Sequence, residues 1–275
     1  MMHRVSTAIL VGVLVVGLLP GVTRADEVGQ KAEAIMEAQA PAIVSVRVVL
    51  DLEFAGRTQE HRLQTRGVAV SDTGLIMTSI EAIKPSINVR GPRGRSIDVK
   101  ITPADIKIVF EKDEKEWDAF VAVKDTKRQL VFLQLKDFKP ADRKIQCVDF
   151  SKSATAKVGD EVVTVQRLTK GFDYAPYYSL ARIRGELKKP RKALIISRAG
   201  ISGLPVFSLD GRLIGCHSRM RSGLETGEAA RERAGGQAVV LAAKEVHAVI
   251  QQALKKAAEG ESAGGEEGGD EKQDG

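Results

Sequence analysis

Two successive series of short segments rich in β-branched residues dominate this chain and limit what it can fold into. The first runs from about 41 to 136 and the second from about 145 to 242, with glycine, proline and charged residues between the segments. Such segments indicate antiparallel strands, and their close spacing is typical of a closed barrel or a sandwich. The sequence therefore predicts an all-β protein with two similar modules, the second opening with a strand over Gln146–Phe150.

A helix is predicted on each side of these strands. Residues 26–40 are rich in Glu, Ala, Lys and Met, and Pro41 ends that pattern. Residues 243–258 carry an apolar stripe at helical spacing, formed by Val246, Val249, Ile250, Ala253 and Leu254. We expect the stripe to pack on a barrel, and a partner-binding face is the alternative interpretation.

The two ends of the chain differ from its body. Residues 1–25 combine a basic start, an apolar run from Ala8 to Leu19 and small residues before Ala25, which is the pattern of a secretory signal. The run is too short for a membrane-spanning helix, so we predict cleavage after Ala25 and a periplasmic or secreted protein; an uncleaved anchor is the alternative. Residues 259–275 hold seven acids and no apolar residue larger than alanine, and we predict a disordered acidic tail.

Composition excludes several classes of protein. With 43% hydrophobic residues in 275, the chain can bury a real core, and two cysteines exclude a disulfide scaffold. Cys147 and Cys216 could pair in an oxidising compartment or remain two separate thiols. Aromatic residues make up only 4%, so nucleic acid is not an expected partner.

The body between the signal and the tail is basic. Its Lys and Arg residues concentrate at Arg90–Arg95, Lys188–Lys192 and Arg219–Arg221. A surface for anionic partners is one interpretation, and ordinary solvated loop charge is the other. The oligomeric state is left open.

One segment is more specific than the strand pattern. Gly200-Ile201-Ser202-Gly203-Leu204-Pro205, followed by an Asp-Gly hairpin over 208–215, resembles the nucleophile loop of trypsin-like serine proteases, above all the bacterial HtrA (Deg) family. Further segments are similar to that family and follow its order: Pro41–Val46, Arg66–Thr78, Ala156–Asp160 and Gln237–Val240. The resemblance implies a trypsin-like fold of two six-stranded antiparallel β-barrels, with barrels at about 41–136 and 145–242.

The resemblance also implies where catalytic residues should stand. Ser202 occupies the nucleophile position, and the backbone N–H groups of Gly200 and Ser202 would form the oxyanion hole. Glu81 stands where the family has its histidine, and Gln129 stands where it has its aspartate. The loop also departs from the family at Ile201 and Leu204, where a side chain at Leu204 would narrow the space behind the serine.

A serine becomes a nucleophile only when an imidazole base lies within hydrogen-bond reach and a carboxylate orients that base. A carboxylate accepts a hydroxyl proton poorly unless burial makes it more basic. We therefore predict an unactivated Ser202 and a catalytically inactive protein that binds protein or peptide, along the strand edge near Gly215–Ser218. The alternative is a divergent serine endopeptidase with Glu81 or His217 as its base.

His217 is the one histidine near the serine in this arrangement. Depending on strand register, it could face the cleft or the barrel interior, and a structural role is the favoured interpretation. No His, Cys or carboxylate pair shows metal-ligand spacing. The sequence therefore predicts neither a metal nor another cofactor.

Overall fold

The computed structural model describes residues 24–54, 56–85, 89–90, 96–97, 99–111, 113, 115–220 and 236–264. The predicted signal sequence lies outside these residues, except that its last two positions fall in the first helix. Arg93, Arg95 and Arg221 of the predicted basic surface also lie outside the described residues.

Six antiparallel strands close the first barrel, in the order β1-β2-β3-β8-β7-β6. They are β1 Ile43–Phe54, β2 Arg57–Ala69, β3 Leu75–Ser79, β6 Lys100–Phe110, β7 Glu116–Asp125 and β8 Leu130–Leu135. A separate pair, β4 Val89–Arg90 and β5 Ser96–Ile97, forms a two-stranded sheet. The residues on the inner face are branched and apolar because they fill a barrel too narrow for water. Val46, Val48, Ile108 and Leu133 belong to this interior.

A second barrel of six antiparallel strands follows, in the order β10-β11-β14-β13-β12-β9. Its strands are β9 Glu161–Arg167, β10 Pro176–Leu187, β11 Ala193–Ile196, β12 Pro205–Ser208, β13 Leu213–Met220 and β14 Gln237–Ala242. The two closed barrels confirm the predicted all-β, double-barrel fold class. Closure leaves unpaired strand edges only where a strand extends past its neighbour.

The helices flank the barrels. Helix α1 spans Arg24–Gln39 and α2 spans Ala243–Gly264. Each buries one face in the large apolar cluster between the barrels, α1 through Ala32 and Ile35 and α2 mainly through Val246 and Ile250. The apolar stripe of α2 therefore packs on the barrels, as expected. Neither helix is long and apolar enough to cross a membrane, as far as the described residues extend.

One apolar cluster joins the two barrels. It contains Met77 and Leu130 from the first barrel together with Val165 and Leu204 from the second. Because these side chains exclude water from one shared core, the barrels are held against each other by hydrophobic burial. The cleft that carries Ser202 lies along this junction.

Three sequence predictions need correction. Residues 146–150 form no strand: Val148 makes one backbone hydrogen bond, from its N–H to the Ala69 carbonyl at 2.9 Å. Val148 and Phe150 are buried in the core between the barrels, which explains the alternating pattern without a ladder. The sequence pattern over 96–101 and 106–111 predicts two separate strands, whereas most of this region forms one strand, β6. Helix α2 ends at Gly264 rather than Ala258, so 259–264 are helical, and 265–275 lie outside the described residues.

The two cysteines do not form a disulfide bond. Cys147 is exposed, whereas Cys216 is fully buried on β13. The Cys147 side chain is exposed but partly desolvated by the surrounding chain, which raises the pKa of its thiol, and the nearby Asp72 and Asp149 carboxylates add to that effect. Burial also raises the pKa of the Cys216 thiol. Both thiols are therefore protonated and weakly nucleophilic at neutral pH.

Candidate functional site

Ser202 lies in a tight turn between β11 and β12, with 8% of its surface exposed. The Gly203 N–H donates to the His217 carbonyl at 2.9 Å, and the Leu204 N–H donates to the Ile201 carbonyl at 3.1 Å. Gly203 has φ +92°, and a Cβ there would lie 2.9 Å from the backbone of Thr78. The turn therefore requires glycine at 203, because a side chain would be strained and would also collide with the first barrel.

A cavity of about 410 Å³ opens beside this turn. Residues from both barrels line it: Thr65, Ser79, Glu81, Ala82, Gln166, Ala199, Gly200, Ile201, Ser202 and Arg219. Two residues predicted to belong to one site, Ser202 and Glu81, thus border the same cavity. Leu204 does not line it, because its side chain is fully buried in the core between the barrels.

Glu81 enters the cavity from a short 3-10 helix, Ile80–Ala82, that follows β3. The Ser79 hydroxyl caps this helix by accepting a hydrogen bond from the Glu81 N–H at 3.2 Å. The Glu81 side chain is exposed. Among the described residues, no hydrogen bond joins its carboxylate to the Ser202 hydroxyl.

Gln129 immediately precedes β8 and adopts φ +59°. Its carbonyl accepts a hydrogen bond from the Ile80 N–H at 3.1 Å, so its backbone is tied to the helix that carries Glu81. Its side-chain Nε2, however, donates to the Thr126 carbonyl at 2.6 Å. The side chain therefore closes its own turn, and Gln129 is not among the residues that line the cavity.

His217 lies in the interior of the second barrel. Its ring Nε2 is 2.7 Å from the Thr164 hydroxyl, and only 2% of the residue is exposed. Burial lowers the pKa of His217 to about 4, because the charged ring would lose its hydration. A Cβ on Gly200 would lie 2.4 Å from the same Nε2. The ring thus supports the serine turn from below as a neutral side chain and does not line the cavity.

The backbone N–H groups of Gly200 and Ser202 are available at this turn. In the described part of the chain, neither donates a hydrogen bond to another residue. Gly200 must lack a side chain because the His217 ring occupies the position of its Cβ. The two residues predicted to supply the oxyanion hole thus line the cavity, and their N–H groups have no acceptor among the described residues.

Sequence reasoning did not place Arg219, Thr65 or Gln166 in the site. Arg219 is exposed on β13, and no ion pair holds it within the described residues. Gln166 is buried, and its Oε1 accepts a hydrogen bond from the Tyr177 hydroxyl at 3.0 Å. The sequence feature that could have placed Arg219 in the site is its position two residues after His217, on the strand that continues past the serine turn.

Two buried arginines, Arg66 and Arg167, also lie at the junction between the barrels. The Arg66 Nε donates to the Arg167 carbonyl at 2.7 Å, and the Arg167 Nε donates to the Ala40 carbonyl at 2.9 Å. Burial lowers the pKa of both guanidinium groups. The first hydrogen bond links β2 of the first barrel to β9 of the second, and the second ties β9 to the 3-10 turn Ala40–Ala42 that follows helix α1.

The predicted basic surface is partly neutralised where it is described. Arg191 donates to Glu245 at 3.0 Å, and Lys192 lies 3.0 Å from Glu186. Lys188 and Lys189 remain exposed at the tip between β10 and β11. Binding of an anionic surface there stays a prediction.

Two six-stranded antiparallel barrels with a serine turn at their junction define a trypsin-like peptidase architecture. The profile of the trypsin-like peptidase domain family matches residues 65–216. The chain belongs to this family. A comparison with curated proteins finds no match.

Proposed function

We propose that this protein is an inactive trypsin-like protease homologue that binds protein or peptide segments in the cell envelope. The observation that carries the proposal is Glu81 at the cavity, at the position where the family has its catalytic histidine. No histidine is among the described residues that line this cavity. Without an imidazole beside Ser202, the hydroxyl has no efficient acceptor for its proton.

The positions of the second candidate base and of the residue in place of the orienting aspartate support the same conclusion. His217 is committed to Thr164 inside the barrel, and the Gln129 side chain is committed to its own turn. A neutral amide at 129 would neither orient an imidazole nor stabilise its charged form. Loss of the base and of its orienting group removes several orders of magnitude in rate.

A peptide-binding role is supported by an open strand edge beside the cavity. Along β13, Gly215 and Cys216 pair with β12 on one side and with β14 on the other, so both of their edges are occupied. From Ser218 to Met220, β13 pairs with β14 alone within the described residues. The edge predicted at Gly215–Ser218 is therefore shifted toward Met220, and an extended peptide can add there as a further strand.

The relationship to the HtrA (Deg) family and the export of the protein belong to this proposal. They rest on the hairpin and loop motifs around Thr78 and Ser202 and on the signal-like pattern of residues 1–25. In a periplasmic or secreted setting, the partner would be another exported protein.

Labelling with a fluorophosphonate tests inactivity, since such probes report an activated serine whatever the substrate. We expect no labelling that depends on Ser202, with Ser202→Ala as the matched control and trypsin as the positive control. Stoichiometric labelling that disappears in Ser202→Ala would overturn the proposal.

The alternative function is a divergent serine endopeptidase. One observation favours it: Glu81, Gly200 and Ser202 line the same cavity, and the N–H groups of Gly200 and Ser202 have no acceptor among the described residues. If labelling occurs, Glu81→Gln should abolish it when Glu81 is the base. His217→Ala should have no such effect on the chemistry, because the ring lies inside the barrel.

A further inference from the structure

Strand β2 leaves most of its outer edge without a partner among the described residues. It pairs with β1 from Arg57 to Val68, but with β3 only over Gly67–Ala69. As far as the chain is described, the edge that faces away from β1 is therefore open between Arg57 and Arg66. The first six residues of the strand are all exposed. The hairpin end of β2 thus extends past β3 as a free edge strand.

Two hydrogen bonds near the barrel show which residues of β2 direct their backbone groups to the open edge. On the β3 side, the Arg66 carbonyl accepts from the Thr78 hydroxyl at 2.6 Å. The Val70 N–H donates to the Leu75 carbonyl at 2.9 Å on the same side. Backbone groups of alternate residues face the same edge of an antiparallel strand, and the pairing of β1 with β2 has no register shift. The residues that face the open edge are therefore Thr58, Glu60, Arg62 and Gln64.

The charges on this edge are complementary to a second copy of the same strand. Glu60 and Arg62 lie on one face of β2, with their charged groups 3.6 Å apart. When two antiparallel copies are centred on His61, Glu60 of each copy stands directly opposite Arg62 of the other. Sliding one strand by two residues would bring Glu60 opposite Glu60 or Arg62 opposite Arg62, and like charges directly opposite are destabilising. Sliding it by one residue would break the hydrogen-bond ladder, so ladder and charge together select one register.

Glu60 also has an unfavourable neighbour within its own chain. Asp51 of β1 is its direct cross-strand partner, and Asp51 forms no ion pair within the described part of the chain. Two carboxylates at opposed positions repel each other. Arg62 offsets this repulsion only weakly, because its side chain is 81% exposed. A guanidinium from a second copy, on the free side of Glu60, would improve this arrangement.

The same register keeps the bodies of the two copies apart. Arg66, where β2 joins its barrel, would stand opposite Gly56 at the hairpin tip of the second copy. At the rise of a β-strand, the points where the two strands join their barrels are then about 33 Å apart. Each copy uses its one open β2 edge on the other, so the assembly closes at two copies.

We propose that two copies of this protein associate through the open edge of β2, antiparallel and centred on His61, with two reciprocal ion pairs between Glu60 and Arg62. A contact of this size is typical of reversible association. The inference goes beyond the proposed peptide-binding function and does not depend on it, since it uses the hairpin end of β2 and not the serine turn.

Sedimentation equilibrium of the purified protein between about 1 and 500 µM tests the association. We expect a monomer–dimer equilibrium. Glu60→Arg should weaken dimerisation by about tenfold or more, because both reciprocal ion pairs become contacts between like charges. Arg62→Glu should have the same effect.

The double variant that carries both changes is the decisive one. It should restore dimerisation to within about threefold, because it only exchanges the partners of each ion pair. Arg184→Glu, at an exposed arginine of β10, is the matched charge reversal and should leave dimerisation unchanged.

A cysteine at the centre of the interface tests the register. His61 would face its own copy at a position without ladder hydrogen bonds, where Cα atoms lie about 4.5 Å apart, within the range of a disulfide bond. Because Cys147 is exposed, the background is Cys147→Ser. His61→Cys should then give a covalent dimer after mild oxidation. Gln59→Cys is the control, since its two copies would lie about 13 Å apart along the strands, too far for a disulfide bond.

Several outcomes would overturn the inference. One is a protein that stays monomeric over the whole concentration range, and another is a dimer that the single charge reversals leave unchanged. A double variant as weak as the single ones would show that Glu60 and Arg62 do not face each other across the two-fold axis. Equal crosslinking through residues 59 and 61 would exclude the register. None of these outcomes bears on the labelling of Ser202, so failure of the inference and failure of the proposed function are distinguishable.

Discussion

The two barrels hold their parts of the cleft in different ways. The second barrel supplies the Ser202 turn, which is buried, fixed by backbone hydrogen bonds to β13 and closed against Thr78. The first barrel supplies Glu81, whose side chain is exposed and makes no hydrogen bond to the serine within the described residues. Backbone donors thus follow from the fold itself, whereas a proton acceptor depends on single side chains that can change without cost to the fold.

The largest change in the free energy of unfolding is expected for a substitution at Gly203, where the two barrels touch. Gly203→Ala adds a Cβ that lies 2.9 Å from the Thr78 backbone, at a residue with φ +92°. Strain and overpacking together should lower the free energy of unfolding by about 3 kcal/mol. Urea denaturation followed by circular dichroism measures this difference.

Gly159→Ala is the matched control for that variant. Gly159 has φ +99°, but nothing lies within 4 Å of a Cβ placed there. It should lose only about 1 kcal/mol, from the unfavourable φ alone. Equal losses in the two variants would show that the contact between the barrels at Thr78 adds nothing.

The next largest effect is a loss of stability as the pH falls. It comes from His217, which lies beneath the serine turn. Its folded pKa of about 4 lies below the ordinary value of 6.5 because the ring is buried. The unfolded chain therefore binds a proton first as the pH falls, so stability is full above pH 6.5 and declines toward pH 4. The loss over this interval should approach about 3 kcal/mol and then level off.

His217→Gln should flatten that part of the pH profile, measured as the urea midpoint from pH 7 to pH 4. His61→Gln serves as the control because His61 is exposed. An NMR titration of the His217 ring in the unaltered protein gives the folded pKa directly, even if the variant folds poorly. A ring that titrates near 6.5 would contradict the burial assigned to it.

A smaller effect on the free energy of unfolding is expected from the ion pairs of helix α2, one of which binds the turn before Gln129. Glu245 accepts hydrogen bonds from Arg128 and Arg191, both at 3.0 Å, and about a quarter of each of these three side chains is exposed. Glu245→Gln should lower the free energy of unfolding by about 1 kcal/mol, since water partly screens both ion pairs. Lys244→Gln, an exposed change on the same helix, should have no measurable effect.

The sequence predicted the parts of this molecule that depend on local pattern. Alternation and turn residues gave the strands around Ile43, Leu130 and Pro205, and the Gly200–Pro205 motif located the serine turn. The prediction of a strand over Gln146–Phe150 was wrong, because burial between two barrels produces the same alternation of apolar residues as a sheet. Arg219 was missed because its place on the cavity depends on how β13 lies beside the serine turn, and long-range strand pairing decides that arrangement.

The smallest effect on stability should come from Glu81 itself. Its side chain is exposed and, within the described residues, makes no ion pair, so Glu81→Gln should change the free energy of unfolding by less than about 0.5 kcal/mol. Thr78→Val is the contrasting change in the adjacent strand, because the buried Thr78 hydroxyl donates to the Arg66 carbonyl at 2.6 Å. It should lose about 1 kcal/mol or more. If Glu81→Gln proved as destabilising as Thr78→Val, Glu81 would be part of the structural framework of the cleft, and the contrast between a fixed serine turn and a freely replaceable acid would not hold.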